Sequence, residues 1–430
     1  MCAGRKLTRC ALPVRARKVC TIFCHYSTSA IAGRLGYDGG MLLITHILRR
    51  FTLLLAVLLL GAVLPSVAGA AIVVQPTPDG GLQPRLLVTE DGNVHLLYFR
   101  KRLNQPSARE GNLYYRQYLP SEQRFGSPVK VSSTAFPLQT FAIARAGMAV
   151  DGSGRVHVIW YPSRENKFYY ARSDAARSQF EPQQSMVTAH MEGVDAGAEI
   201  AAQGDKVAIV WGAGDLSLEH ERTVFVRLSA DNGASFGPEL MSGDPALGAC
   251  ACCSLATEYL EDQSLFIGYR SAINGTGRHT QLLTLLTQDT AITGASYGPV
   301  NALQEWELTS CPLSTNDVAI AANGDRWFVF ETESRIVQLR LAAESIPVVV
   351  AEPESKTRQK NPAVAINSEG ERLVVWGEGI SYNRGGRMDL RLFDAAGNVL
   401  DTGFDETIEI PDFSFPAVAN LPDGNFLILY

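Results

Sequence analysis

Hydrophobic and polar residues alternate in short runs along most of the chain, and turn sequences such as Asp-Gly, Asn-Gly and Ser-Gly separate these runs. Alternation with a period of two is typical of half-buried β-strands, and the turn sequences are typical of the loops between them. No amphipathic helix of ordinary length is evident after Ala71. The pattern therefore predicts an all-β protein.

One unit of this pattern recurs seven times. Each copy has an apolar strand, a turn and a second apolar strand that ends on an aromatic residue, as in "RLLVTEDGNVHLLY" (85–98) and "AVANLPDGNFLILY" (417–430). Successive closing aromatics are 46 to 62 residues apart, and they are Tyr98, Trp160, Trp211, Tyr269, Phe330, Trp376 and Tyr430. A repeat of about 50 residues favours four-stranded blades around an axis, the architecture of a β-propeller.

The number of blades follows from the number of copies. Seven units predict seven blades, with six as the alternative, because the seventh unit ends at Tyr430 after two strands. The segment "AIVVQ" (71–75) would add an outer strand to that unit and close the ring. A two-sheet sandwich fits less well, since it does not require a repeat at constant period.

An apolar segment near the N-terminus indicates the compartment. Arg49 and Arg50 precede the apolar residues 51–64, and the small residues 68–70 follow. This order is typical of a secretory signal peptide, here 41–70, and the alternative is an uncleaved membrane anchor. We therefore expect export to the periplasm or beyond, with no membrane span after cleavage.

The composition divides the chain into a native and a non-native part. Residues 1–40 contain many basic residues and only one acid, so we interpret Met41 as the true start and 71–430 as the propeller. Nine of the 38 basic residues and one of the 44 acidic residues precede Ala71, so the mature chain carries a formal charge of −14. Such acidity argues against nucleic acid as a partner.

The stretch "SADNGASF" (229–236) matches the pattern Ser-x-Asp-x-Gly-x-x-Phe. This pattern is the Asp-box of sialidase-like propellers, which the chain resembles here. We expect Asp231 to accept hydrogen bonds from turn N–H groups, Gly233 to adopt positive φ, and Phe236 to pack between strands, with Ser229 opening the box. The box stabilises a turn, so it indicates the fold and not a reaction.

A wider resemblance covers residues 141–330. The pieces "CACCSLA", "GYRSAINGTGRH" and "EWELTSCP" resemble a group of secreted bacterial sialidase-superfamily propellers, in which Cys-x-Cys-Cys before one blade is followed by Cys-Pro before the next. The resemblance implies a single exported β-propeller of sialidase-like type.

Sialidase chemistry makes specific demands on the sequence. The family uses an arginine triad for the substrate carboxylate, a Tyr nucleophile with a Glu partner, and an Asp acid/base. The usual Phe/Tyr-Arg-Ile-Pro motif of the first blade is replaced by "QPRLL". Candidate replacements are Arg85, Arg270 and Arg384 for the triad, and Tyr382 with Glu378 for the nucleophile pair. The alternative interpretation is that these side chains are solvated or simply packed.

The missing motif favours a non-catalytic binding propeller, which we expect to be a monomer that binds a glycan or another exported protein. A divergent exo-glycosidase of sialidase type is the alternative. In either case, we expect the ligand on the face that carries the cysteines, near Trp160, Tyr161, Arg164, Tyr269, Arg270, Arg278 and Asp317.

Four cysteines follow the signal peptide, namely Cys250, Cys252, Cys253 and Cys311. Three lie just before the inner strand of the fourth unit and one just before that of the fifth, so all four sulfurs are expected to come close. Disulfides are the first interpretation, because the compartment is oxidising. A thiolate site for Zn²⁺ or Cu(I) is the second, which would make the protein a metal-binding propeller. A reactive thiol is the third.

Overall fold

The computed structural model describes most of the chain after the predicted signal peptide. The described residues are 69–430 without 103–108, 139–143, 163–164, 166, 195–196, 299–304, 343–344, 352–356 and 382–383. The interpretation of residues 1–40, nearly all of the predicted signal peptide, and the candidates Arg164 and Tyr382 lie outside these described ranges.

Consecutive strands pair in antiparallel fashion and build one sheet per repeat unit. Blade 1 has β2 (Leu82–Val88), β3 (Val94–Lys101), β4 (Glu110–Leu119) and β5 (Arg124–Phe125), and β6 (Val129–Lys130) and β7 (Phe136–Pro137) also pair with β4. Blade 2 has β8 (Gly147–Val150), β9 (Val156–Trp160), β10 (Tyr169–Arg172) and β11 (Gln184–Ser185). Blade 3 has β12 (Glu199–Gln203), β13 (Lys206–Ala213), β14 (Thr223–Ser229) and β15 (Leu240–Met241).

The next three sheets repeat this order. Blade 4 has β16 (Ala256–Tyr259), β17 (Leu265–Arg270), β18 (Thr280–Gln288) and β19 (Ala291–Tyr297). Blade 5 has β20 (Asp317–Ile320), β21 (Arg326–Thr332), β22 (Arg335–Arg340) and β23 (Val348–Val349). Blade 6 has β24 (Gln359–Ile366), β25 (Arg372–Glu378), β26 (Arg387–Phe393) and β27 (Val399–Leu400). Short 3-10 helices lie between strands at Pro78–Gly80, Pro120–Glu122, Glu219–Glu221 and Pro245–Leu247.

The seventh blade joins the two ends of the propeller. Its strands β28 (Ala417–Asn420) and β29 (Phe426–Leu429) come from the C-terminus, and β1 (Ile72–Gln75) pairs in parallel with β29. The backbone N–H of Thr77 donates to the carbonyl oxygen of Tyr430 at 2.8 Å. The first strand of the chain thus completes the last blade, as the segment 71–75 predicted.

The hydrophobic core is divided among the junctions between neighbouring blades. Each of the seven adjacent pairs shares one cluster of buried side chains, including the pair formed by blades 7 and 1. Trp160, Trp211 and Trp376 are among the largest fully buried side chains. A closed ring of seven interfaces confirms the all-β prediction and selects seven blades over six. Among the described residues, no helix is long and apolar enough to span a membrane.

Candidate functional site

The strand register places seven equivalent residues around the axis. The first strands of neighbouring blades contact one another, so they line the centre of the molecule. In each blade one residue of this inner strand pairs with the residue that precedes the closing aromatic. The seven are Arg85, Gly147, Glu199, Ala256, Asp317, Ala363 and Ala417. We call this set the axial ring.

Arg85 contacts both acidic residues of the axial ring across the axis. Nη1 of Arg85 lies 3.3 Å from Oδ1 of Asp317, and Nη2 lies 3.5 Å from Oε2 of Glu199. These residues belong to blades 1, 5 and 3, so one guanidinium joins three blades. The second oxygen of Asp317 accepts a hydrogen bond from the N–H of Val364 at 3.0 Å. Burial opposes the charge of Arg85, but the surrounding carboxylates outweigh it and raise the pKa of Arg85.

Two further charged residues lie beside the axial ring. Glu258 follows two positions after the ring residue of blade 4, and it is half-buried. Burial, reinforced by Glu199 and Asp317, raises the pKa of Glu258 to about 7. Arg145 is buried, its Nη2 donates to the carbonyl oxygen of Asn316 at 3.3 Å, and burial and Arg85 lower its pKa to about 10. At neutral pH two guanidiniums therefore face two carboxylates and a third acid that is partly protonated.

The uncharged ring positions provide the space for these side chains. A Cβ added to Gly147 would lie 2.5 Å from Oε1 of Glu199 and 3.0 Å from the side chain of Ile159. Neither atom has room to accept such a contact without moving. A larger residue at this position would therefore turn the carboxylate of blade 3 away from the arginine of blade 1.

A cluster of sulfur atoms lies where the loops enter blades 4 and 5. Cys252 and Cys311 form a disulfide with a Cα–Cα distance of 6.3 Å, whereas Cys250 and Cys253 are free and buried. The sulfur of Cys250 lies 3.8 Å from that of Cys252 and donates its S–H to Cys253 at 3.6 Å. We call these four residues the sulfur cluster. The disulfide joins the loops that enter two neighbouring blades, in agreement with the disulfide interpretation of the sequence.

Arginines and one glutamate surround the sulfur cluster. Oε2 of Glu219 accepts from Nη2 of Arg278 at 2.5 Å, and Oε1 accepts from the N–H of Ala251 at 2.9 Å. Arg270 donates to the carbonyl oxygens of Arg278 at 2.9 Å and Glu331 at 2.5 Å. A sulfur atom of Cys250, Cys252 and Cys311 and a carboxylate oxygen of Glu219 all lie within 4.8 Å of one another, an arrangement that could hold a metal ion.

The other side of the sulfur cluster carries a buried lysine and an acid. Lys360 donates to the carbonyl oxygen of Pro312, and Glu331 is almost fully buried. Burial raises the pKa of Glu331 to about 7 despite the cations near it. Burial also opposes the thiolate of Cys253, but the hydrogen bond from Cys250, together with Arg270 and Lys360, lowers the pKa of Cys253.

One asparagine connects the axial ring to the sulfur cluster. Nδ2 of Asn316 donates to the carbonyl oxygen of Ser254, the neighbour of Cys253, at 3.1 Å. The carbonyl oxygen of Asn316 accepts from Arg145, and the next residue is the ring member Asp317. The axial ring and the sulfur cluster are thus connected through the single backbone segment that contains Asn316.

Known proteins resemble this chain in structure and not in sequence. The sequence matches no protein-family model and no curated protein. An alpha-L-arabinanase of Penicillium chrysogenum, solved with arabinobiose, matches over 77% of this chain and 99% of its own, with 13% identity and a TM-score of 0.50. A likeness at this identity shows the fold alone. The shared fold is the β-propeller.

Two other solved structures are similar at lower scores. The Hadza microbial sialidase Hz136 matches over 71% of this chain and 68% of its own, with 10% identity and a TM-score of 0.40. A protein of unknown function from Dyadobacter fermentans DSM 18053 matches over 75% of this chain and 96% of its own, with 10% identity and a TM-score of 0.47.

The predicted arginines lie at three separate places in this propeller. Arg85 is on the axis, Arg270 contacts the region of the sulfur cluster, and Arg384 is exposed beside the carbonyl oxygen of Gly379. Glu378 is buried and pairs with Arg387 at 3.0 Å. The structure therefore does not bring these three arginines into one group.

The predicted aromatic residues of the ligand face pack inside the blades. Trp160 and Tyr269 are both 2% exposed, and the hydroxyl of Tyr161 donates to the carbonyl oxygen of Val194 at 2.9 Å. Of the other described candidates, Asp317 lies on the axis and Arg278 beside the sulfur cluster. The polar candidates Asp317 and Arg278 therefore lie at the axial ring and beside the sulfur cluster, whereas the aromatic candidates do not.

The stretch 229–236 has the local geometry that its sequence predicts. Ser229 donates to Asp231 at 2.7 Å, and Asp231 accepts from the N–H of Ser235 at 2.9 Å. Gly233 has a φ of 69°, and Phe236 packs edge-on against a tyrosine ring of blade 2. These contacts hold the turn that follows β14.

Several residues at or beside the axial ring and the sulfur cluster were not among the sequence candidates. They are Arg145, Glu199, Glu219, Glu258, Glu331 and Lys360. Aligning the repeats offers a partial signal, because Arg85 and Asp317 occupy a position that is alanine or glycine in most copies. Glu199 is offset by one residue in that alignment, since the turn of its hairpin is shorter. For the others, no periodic pattern marks the position.

Proposed function

We propose that this protein is an exported, non-catalytic propeller that binds a neutral glycan at the axial ring. The observation that supports this proposal is the guanidinium of Arg85 held between Glu199 and Asp317, with small residues at the other ring positions. Paired guanidinium and carboxylate groups offer both donors and acceptors, as sugar hydroxyl groups require. The arabinobiose bound by the Penicillium arabinanase, a protein of the same fold, is consistent with such a ligand.

The charge balance argues for a neutral ligand over a sialic acid. A sialidase needs arginines that are free to bind a carboxylate bidentately. Here Arg85 is already engaged by two carboxylates, and Arg270 and Arg384 lie elsewhere. An anionic sugar would have to displace internal acids from the arginine, at the cost of leaving them unpaired.

A second candidate function, glycoside hydrolysis, rests on Glu258. Its pKa of about 7 leaves this carboxyl partly protonated at neutral pH, next to carboxylates that Arg85 keeps paired. Acids whose environments differ in this way are the pattern used by glycosidases for acid and nucleophile. The same ring would then act on a neutral glycoside.

Binding is tested by calorimetric titration of the purified protein with arabinobiose and, separately, with 3′-sialyllactose. We expect the neutral sugar to bind and the sialoside not to bind. Asp317→Asn keeps the size of the side chain but removes its charge, so binding should weaken roughly tenfold. Arg384→Ala, an exposed arginine away from the ring, is the matched control. No binding of the neutral sugar, or equal binding by Asp317→Asn, would contradict the proposal.

Hydrolysis is tested with p-nitrophenyl α-L-arabinofuranoside as substrate. The binding proposal expects no turnover above the uncatalysed rate. Turnover that falls roughly 100-fold or more in Glu258→Gln would support the hydrolase instead, because glutamine cannot donate the proton.

A further inference from the structure

The sulfur cluster has the composition of a metal site as well as of a disulfide. The atoms that lie mutually within 4.8 Å are three cysteine sulfurs and one carboxylate oxygen, and Cys250, Cys252 and Cys253 are buried. Thiolates are soft ligands that select Cu(I), Zn²⁺ or iron–sulfur clusters. Neither the propeller fold nor the axial ring requires such a group.

We propose that, when the Cys252–Cys311 disulfide is reduced, the sulfurs of Cys250, Cys252 and Cys311 bind one Cu(I) ion. The disulfide is the oxidised state of the same site. This proposal is independent of glycan binding at the axial ring.

The separation of the sulfurs fits a shared metal ion. Thiolates bound at about 2.3 Å to one ion are about 3.8 Å apart in a tetrahedral site and about 4.0 Å apart in a trigonal one. The sulfurs of Cys250 and Cys252 are already 3.8 Å apart. Breaking the disulfide frees the sulfur of Cys311. This sulfur then needs to move only from bonding distance of Cys252 to the separation of about 3.8–4.0 Å that two ligands of one ion have.

Cu(I) fits this set better than Zn²⁺ because the fourth donor is occupied. Structural Zn²⁺ sites take four ligands. Both oxygens of Glu219 already accept hydrogen bonds, one from Ala251 and one from Arg278. Three thiolates without a free oxygen ligand suit a soft ion of low coordination number. Glu219 is therefore a positioning residue that holds the cysteine loop and the arginine.

The charge of the metal site is compensated by nearby cations. Three thiolates and one Cu(I) carry a net charge of −2, which a buried site tolerates only with opposite charges close by. Arg278 acts electrostatically on the ligand Cys250, and Arg270 and Lys360 act on its neighbour Cys253. Nη1 of Arg278 is buried without a hydrogen-bond partner among the described residues, so this donor is available to a thiolate.

The conversion between the two states is a two-electron reduction. A dithiol reductant breaks the S–S bond, gives two electrons and two protons to Cys252 and Cys311, and becomes a disulfide itself. Binding of Cu(I) then releases the thiol protons to solvent. Copper keeps its oxidation state throughout, so no further electron donor is required.

The test uses the full chain, reduced with dithiothreitol and desalted under nitrogen, and titrated with Cu(I) in competition with bicinchoninate. We expect the reduced protein to take about one equivalent of Cu(I), with absorption in the near ultraviolet from thiolate-to-copper charge transfer, and the oxidised protein to take none. Cys250→Ser should weaken binding roughly 100-fold or more. This variant keeps the disulfide, so its folding is checked in the oxidised state by circular dichroism.

Cys253→Ser is the matched control. It removes a buried sulfur of the same loop, but this sulfur is not one of the ligand atoms that all lie within 4.8 Å of one another. It should bind Cu(I) as the wild type does. Failure of the reduced wild type to bind Cu(I), equal loss of binding in Cys253→Ser and Cys250→Ser, or preference for Zn²⁺ over Cu(I) would each overturn the proposal. The sugar titrations are performed on oxidised protein, so failure of one proposal leaves the other intact.

Discussion

Removal of the disulfide between blades 4 and 5 should destabilise the propeller by an amount that its loop length sets. Cys252 and Cys311 are 59 residues apart, and the bond restricts this loop in the unfolded chain. For a loop of this size the chain-entropy model gives about 4 kcal/mol of stabilisation. The variant Cys252→Ser/Cys311→Ser should lose this amount, because it removes the bond without adding bulk.

Urea unfolding, followed by tryptophan fluorescence, measures the loss. With an m-value of about 3 kcal/mol per M urea, the midpoint should fall by about 1.3 M. Wild type unfolded in the presence of dithiothreitol should show the same shift, and the double variant should show no further shift with the reductant. If dithiothreitol lowers the midpoint of the double variant as much as that of the wild type, the stabilisation does not come from this bond.

Three further changes test the ring and its closure. Gly147→Ala places a Cβ 2.5 Å from the Glu199 carboxylate, which must then turn away from Arg85, and loss of this buried contact should cost roughly 1–3 kcal/mol in urea unfolding. Gly126→Ala, where the nearest atom is 3.4 Å away, should cost much less. The pKa values of Glu258 and Glu331 are raised from 4.5 to about 7 in the folded state, so wild-type stability should fall as pH rises from 4.5 to 7, and Glu258→Gln should show a smaller fall in thermal unfolding because only Glu331 still contributes. Deletion of residues 72–75 removes the outer strand of blade 7 and should cost roughly 3–5 kcal/mol, and an unchanged midpoint would contradict closure by β1.

The repeated pattern predicted the fold because blade formation is mostly local. Within blades 1 to 6, strands that are consecutive in sequence pair with each other, so alternation, turn residues and closing aromatics suffice to recognise them. The closing strand at 71–75 was also predictable, since the seventh unit lacked outer strands. By contrast, Trp160 and Tyr269 were expected to face a ligand and instead pack within blades. Sequence spacing places an aromatic at a strand end but does not show which neighbours cover it.

The candidate site could be predicted only in part. The clustering of the four cysteines followed from their positions before two neighbouring inner strands. The partners of Arg85 did not, because Glu199 and Asp317 come from two other blades and lie 114 and 232 residues away in the chain. Which oxygens meet the guanidinium depends on strand register and on the room left by Gly147.

The sequence by itself determined the strands, their grouping into seven units and the nearness of the cysteines, because each depends on periodicity and short connections. Only the tertiary structure decided that Cys252 bonds Cys311, that one arginine joins blades 1, 3 and 5, and that burial raises the pKa of Glu258 to about 7. The physical reason is that closing a ring of seven blades brings residues far apart in the chain to one axis. Their charges and burial exist only after closure.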